Sequence, residues 1–358
     1  MRDGMFIGSI SPQATRNPHT AIGIFMDASR TFDVPAIPTG ETGDSNWAKE
    51  QLDKHNDVTA LRRWKKSTFG TSGNYRGMPV YTVRHGQHID PDELDLCFEQ
   101  RAKEGYPVLQ AVSEERNIET PRFQLGINTL DIALFALRQQ ANQELDAYVE
   151  VTRRQAEAAY EITGGNIFYL IETPCATILA NIFRGKEWII DWFCRALTRI
   201  VQALPKGAAW GFHFCYGDLS NSSIGDHGKL AETLEVYRWI YKPKYSVKMI
   251  SRILRYLEDR GLVPELAQIP LAFGKRPPSL DIDDYHEYDS LYVPEGVALY
   301  AGAIHHSRQT DELCKLYPKL DDIFEYDDLG VSNSCGFGRS TAEQMFRCLD
   351  HMKQIVKV

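Results

Sequence analysis

Apolar and polar positions set a rhythm along most of the chain. Short apolar runs occur at Met5–Ser9, Val108–Val112, Phe123–Ile127, Ile167–Glu172, Ala208–Cys215, Leu266–Ala272, Val297–Ile304 and Leu329–Ser334. Longer amphipathic stretches stand between them, near 91–103, 139–163, 186–203, 228–240, 246–260, 309–321 and 341–355. In 139–163, alanine, leucine, valine and tyrosine recur at three- and four-residue spacing among charges, the period of a helix with one apolar face. Several short runs are apolar throughout, as expected of parallel strands covered on both faces. Eight strands with helices between them predict an α/β fold, a (β/α)8 TIM barrel formed by residues 1–358 as one domain. A doubly wound open sheet is the alternative. No glycine-rich phosphate fingerprint follows any strand, so neither a dinucleotide fold nor a P-loop has support.

Residues 11–78 depart from the rhythm. They are rich in Gly, Ser, Thr, Asn and Asp, with Trp47, Trp64, Phe69 and Tyr75 among them. Polar loops that carry aromatics tend to fold over something, so this region is expected to be a lid or cap. An irregular surface excursion is the plainer reading.

Composition narrows the function classes. The 358 residues, 43% of them hydrophobic, suffice for a large core, and the formal charge of −8 argues against a nucleic-acid or anionic-membrane surface. No apolar run is long enough to cross a membrane as a helix, and the first residues lack a signal peptide's apolar region. Seven scattered cysteines fit a reduced, cytoplasmic setting better than a disulfide scaffold. The expected partner is a small-molecule substrate.

In a barrel of this kind, chemistry sits at the C-terminal ends of the strands. Those ends carry Gly8-Ser9, Glu172, His213-Phe214-Cys215, His305-His306 and Ser334-Cys335. Residues two apart on a strand face one side, so His213 and Cys215 can aim an imidazole and a thiolate at one point. Alone, the pair reads more readily as a buried histidine and a small buried hydrophobe than as metal ligands. Cys335, ending the last strand, adds a second thiolate at the same mouth. Two thiolates and an imidazole suit Zn²⁺ and leave a position open.

Glu172 ends an apolar strand with Pro174 close behind, and packing does not explain a carboxylate there. It can hold an ammonium group or accept a proton; a salt bridge to a barrel arginine is the structural alternative. Of His305 and His306, one faces the mouth and could shuttle a proton, or bond a neighbouring loop. Gly8 permits close backbone approach at Ser9, where amide groups could hold a carboxylate. Asp218 is a candidate to orient His213 as an outer acceptor, or to cap the next segment. Residues 281–289, "DIDDYHEYD", lack the glycine and the terminal glutamate spacing of a calcium loop and read as a solvated acidic stretch.

These strand ends resemble, in order, those of the cobalamin-independent methionine synthase barrel, in the superfamily that also holds uroporphyrinogen decarboxylase. "FIGSISPQ" is similar to that family's opening Ile-Gly-Ser, which holds the homocysteine carboxylate. "LIETPCA" is similar to its Asp-Glu-Pro-Ala strand end, with Glu172 in place of the aspartate that binds the amino group. "HFCY" is similar to its zinc-binding His-x-Cys. "AIHHS" is similar to its Ile-His-Ser, which places its proton-transfer histidine at His305. "SNSCGFGR" is similar to its Asp-Cys-Gly, which places the last zinc cysteine at Cys335. There are two departures. The family's glutamate ligand has no carboxylate counterpart in "ELAQIPLAFGK", where Glu265 stands at the wrong end. The synthase's additional N-terminal barrel is also absent, which counts against folate as the donor.

The resemblance implies zinc-dependent methyl or alkyl transfer to a homocysteine-like thiol. Glu172 and the Ser9 region would hold the acceptor's amino-acid end, His305 would protonate the leaving group, and the lid would exclude water. Two other readings remain open. One is a zinc-dependent hydrolase or lyase acting on a small metabolite. The other is a metal-free, non-catalytic relative that keeps its cysteines for packing.

Overall fold

The computed structural model describes residues 2–41, 47–66, 79–216, 218–219, 222–223, 242–272, 276–327 and 329–358. Its centre is an eight-stranded sheet in which every described pairing is parallel. The strands are β1 (Gly4–Met5), β2 (Ile37–Pro38), β5 (Phe123–Ile127), β6 (Ile167–Glu172), β7 (Ala209–His213), β10 (Leu266–Pro270), β11 (Ala298–Ile304) and β12 (Gly330–Asn333). Short antiparallel pairs stand outside it: β3 (Leu61–Lys66) with β4 (Pro79–Val83), and β8 (Asp218–Leu219) with β9 (Ser222–Ser223).

The sheet order, β1-β12-β11-β10-β7-β6-β5-β2, runs sequentially around a circle. The two end strands approach each other: Gly4 N–H donates to Asp33 O at 2.9 Å and Ile10 N–H to Glu41 O at 2.8 Å. This is the expected TIM barrel. Its helices among the described residues are α1 (Pro18–Ala28), α2 (Trp47–Lys54), α3 (Phe98–Glu115), α4 (Thr129–Leu137), α5 (Ala141–Ile162), α6 (Pro174–Ile182), α7 (Glu187–Gln202), α8 (Pro243–Glu258), α9 (Thr310–Phe324) and α10 (Ala342–Ile355).

Two sequence expectations are corrected. Val108–Val112 is not a strand but lies inside α3. Its buried neighbours Ala102, Tyr106, Leu109 and Val112 recur at three- and four-residue spacing, so the helical period outweighs the short apolar run. The second barrel strand is Ile37–Pro38, two residues long and too short to show any period. It lies within 11–78, the region expected to be a lid. That region also supplies α1, which packs on β2 and α3, and α2, which packs on α4. Residues 67–78 and the expected helix at 228–240 lie outside the described residues.

Two apolar layers hold the barrel. Outside, the helices bury one large core against the sheet. Inside, Met5, Ile7, Ala36, Phe168, Leu170, Leu266 and Tyr300 form a separate small cluster. Because side chains alternate along a strand, these inward residues define rows. Phe168 and Leu170 are followed in their row by Glu172, Ala209 and Gly211 by His213, and Leu266 by Gln268. The apolar interior therefore ends, near the strands' C-termini, in a ring of polar groups.

Candidate functional site

Three of the residues singled out in the sequence converge. The ligating atoms of His213, Cys215 and Cys335 all lie within 4.8 Å of one another. His213 and Cys215 are buried and Cys335 is partly exposed. Two thiols and an imidazole at this spacing form a donor set that fits Zn²⁺.

The placement of each donor follows from local packing. The ladder between β6 and β7 sets Glu172 opposite His213, and Thr173 N–H donates to His213 O at 3.2 Å. The Cys215 carbonyl accepts a short hydrogen bond from the Thr177 hydroxyl of α6. Cys335 is fixed through Asn333. The Asn333 amide donates to Ile7 O at 3.1 Å and to Cys335 O at 2.6 Å, while its oxygen accepts from Ile7 N–H at 3.0 Å. A side-chain amide thus continues the β1–β12 ladder where the two backbones part. Just beyond, Gly8 adopts φ +65°, and a Cβ on Gly336 would stand 2.9 Å from Ser9 N. Phe337 N–H donates to Ser9 O at 2.7 Å. Only residues without a side chain allow the first and last loops to touch this closely. Ser9 is thereby held against the segment that carries Cys335.

Gln268 orients His213. Its Oε1 accepts from His213 Nδ1 at 2.6 Å, and its amide nitrogen donates to Ile269 O at 3.3 Å. Engaging Nδ1 as a donor leaves Nε2 as the lone-pair nitrogen, the tautomer a metal needs. Gly302 makes room for this amide, since a Cβ there would lie 2.1 Å from Gln268 Nε2. The expected orienting acceptor, Asp218, lies on β8, and its side chain is outside the described residues. Gln268 is not among the residues singled out in the sequence. The alternation Leu266–Gln268 on an otherwise apolar strand was the available signal.

Glu172 is partly exposed to the barrel mouth. Desolvation is the main cause that pushes its carboxyl up to about 7; Cys335 and Glu41 reinforce the shift, while His213 and Arg101 oppose it. Burial alone would lower the His213 pKa, but the hydrogen bond and charge of Cys335, with Glu172 and Gln268, carry it above the ordinary imidazole value. Glu41 and Arg101 were not anticipated from sequence. Glu41 follows β2, Arg101 lies in the first turns of α3, and they form an ion pair at 3.5 Å.

His305 directly follows β11 at the same side of the barrel. It is buried and stacks on His306, with ring centroids 4.3 Å apart. Ser307 N–H donates to His305 Nδ1 at 3.2 Å, so the neutral ring carries its proton on Nε2. Burial, with the neighbouring His305 and Arg347, lowers the His306 pKa to about 4. None of the seven cysteines is in a disulfide, and no helix among the described residues is long and apolar enough to cross a membrane.

Comparison with solved structures finds this architecture elsewhere. A B12-independent methionine synthase from Shewanella sp. W3-18-1, solved in complex with selenomethionine, superposes with a TM-score of 0.56 over 100% of this chain and 98% of that one, at 10% identity. The fold resembles that of B12-independent methionine synthases. A candidate vitamin-B12-independent methionine synthase from Listeria monocytogenes gives a TM-score of 0.52 at 10% identity, over 95% of this chain and 86% of that one. Searches against protein-family models and curated proteins give no match. The resemblance read from the strand ends therefore holds at the level of the fold.

Proposed function

We propose that this chain is a zinc-dependent enzyme that transfers a methyl or alkyl group to a thiol acceptor of the homocysteine type. The observation that carries the reading is the convergence of His213, Cys215 and Cys335 at the barrel mouth. Zinc held by these three residues would supply a Lewis acid with a preference for soft thiolate ligands at neutral pH. The rest is done by the chain. Gln268 keeps His213 Nε2 available. Glu172 accepts the acceptor's ammonium hydrogens, with the Glu41–Arg101 pair setting the local field. Ser9 and its neighbouring amides receive the carboxylate. The acceptor's S–H proton passes to solvent, its sulfur forms the S–C bond to the transferred carbon, and the donor's C–X bond breaks with X leaving on the electron pair. His305, with its proton on Nε2, protonates the leaving group. An amino-acid acceptor also matches the class of ligand seen in the Shewanella neighbour.

A second reading, zinc-dependent hydrolysis or elimination, is favoured by one observation. A carboxyl held near neutrality beside the donor set is suited to take a proton from water. Incubation with homocysteine and isotopically methyl-labelled donors separates the two. Label appearing in a thioether supports transfer. Consumption of a donor with label only in a water-derived product supports hydrolysis.

A further inference from the structure

A cavity lies between α4, α6 and α7, and none of His213, Cys215 and Cys335 is among its described lining residues. It encloses about 660 Å³, a volume that accommodates a drug-sized molecule. Phe135, Ile178, Leu179 and Trp192 supply much of its wall. At its rim Trp188 is 57% exposed and Ile182 49% exposed, large apolar side chains left open to water. Two cations, Arg138 and Arg195, also line it, and none of its described lining residues is acidic.

The wall is built, not incidental. The chain breaks between α4 and α5 at Arg138, which adopts φ 54° and ψ −117°, a conformation that side-chain-bearing residues rarely take. This turn brings Arg138 and Gln139 to the cavity beside Asn142 of α5. Asn142 in turn accepts from the Trp192 indole N–H of α7 at 2.7 Å, which ties the opposite wall in place. An apolar chamber with guanidinium groups and no carboxylate among its lining is complementary to an apolar body with one anionic head.

We propose that this cavity is a binding site for an apolar carboxylate, seated with its hydrocarbon among Phe135, Ile178 and Trp192 and its carboxylate on Arg138 and Arg195. The site is independent of the zinc reading and stands or falls separately from it.

The test is isothermal titration of the full chain with decanoate, decanol and decylammonium, three probes with one body and different heads. Decanoate should bind saturably at one per chain. Decanol and decylammonium should bind about tenfold more weakly or worse, the loss expected when a charge-assisted hydrogen bond is removed. The double variant Arg138→Gln, Arg195→Gln should bind decanoate no better than decanol. Leu179→Trp should abolish binding by filling the chamber, with thermal unfolding run alongside to show that the variant is folded. Absence of saturable decanoate binding, equal binding of all three probes, or full decanoate binding by the double arginine variant would overturn the proposal. So would a dimer that excludes decanoate and dissociates on Trp188→Glu, since the face would then be an interface between copies.

Discussion

Gln268 shows how one side chain sets the chemistry of another. Its Oε1 is the acceptor for a buried imidazole N–H, and Gly302 clears the space it occupies. Gln268→Leu would leave that N–H without a partner, at a cost of about 1–3 kcal/mol in stability. It would also free the ring to turn, so zinc affinity should fall roughly 10–100-fold, as when an outer-sphere partner of a metal-bound histidine is lost. Competition with a chromophoric chelator measures the affinity, and wild-type affinity would reduce Gln268 to packing. Glu172→Gln is expected to behave differently. The residue ends an inward row at the catalytic end of its strand, so the variant should lose turnover while its Tm stays within a few degrees of the parent's. Unimpaired turnover with the true substrate would remove Glu172 from the mechanism. His213, Cys215 and Cys335 were legible in the sequence because donors two apart on a strand, or at a strand's end, can be placed by alternation alone. Glu41 and Arg101 were not, because one follows a two-residue strand and the other opens a helix whose start was misplaced.

At the scale of elements, the described part of 11–78 supplies a barrel strand and the helices α1 and α2. His55, in the turn after α2, donates from Nδ1 to Gln51 O at 2.8 Å, and its Nε2 accepts from the Tyr148 hydroxyl of α5 at 2.6 Å. Both ring nitrogens are used in the neutral form. Burial lowers the His55 pKa from 6.5 to about 4. The folded pKa lies below the unfolded one, so the unfolded chain binds more protons between these values. Stability from this residue is complete above pH 6.5 and is lost as pH falls toward 4, by at most about 3 kcal/mol. His55→Gln should flatten the stability profile in that window while lowering its plateau. Denaturant unfolding at pH 4.5 and 7.5 is the check; parallel profiles for the two proteins would show that His55 does not titrate with unfolding. The misread elements have a common cause. Ile37–Pro38 is too short for period-2 alternation to appear, and Val108–Val112 is apolar enough to read as a strand until the neighbouring turns of α3 are counted.

For the whole molecule, the barrel was legible because seven of its eight strands carry their own apolar runs, separated by helices of clear period. What the sequence could not give is how the ends of distant strands meet. That depends on closure between β1 and β12 and on the Asn333 amide that bridges them. Closure is also what brings Cys335 to His213 and Cys215. Cys335→Ser should therefore bind zinc far more weakly while the barrel remains folded, because the residue is partly exposed and its backbone is held by Asn333. Undiminished zinc in that variant would remove Cys335 from the metal site.

The central claim is that zinc at this mouth binds a substrate thiol. X-ray absorption at the zinc edge, on the full chain with and without homocysteine, tests it most directly. The resting protein should show two sulfur ligands, Cys215 and Cys335, with His213 nitrogen. Adding the thiol should raise the sulfur count to three. A count that stays at two while the enzyme turns over would contradict thiol transfer and leave water activation as the reading to pursue.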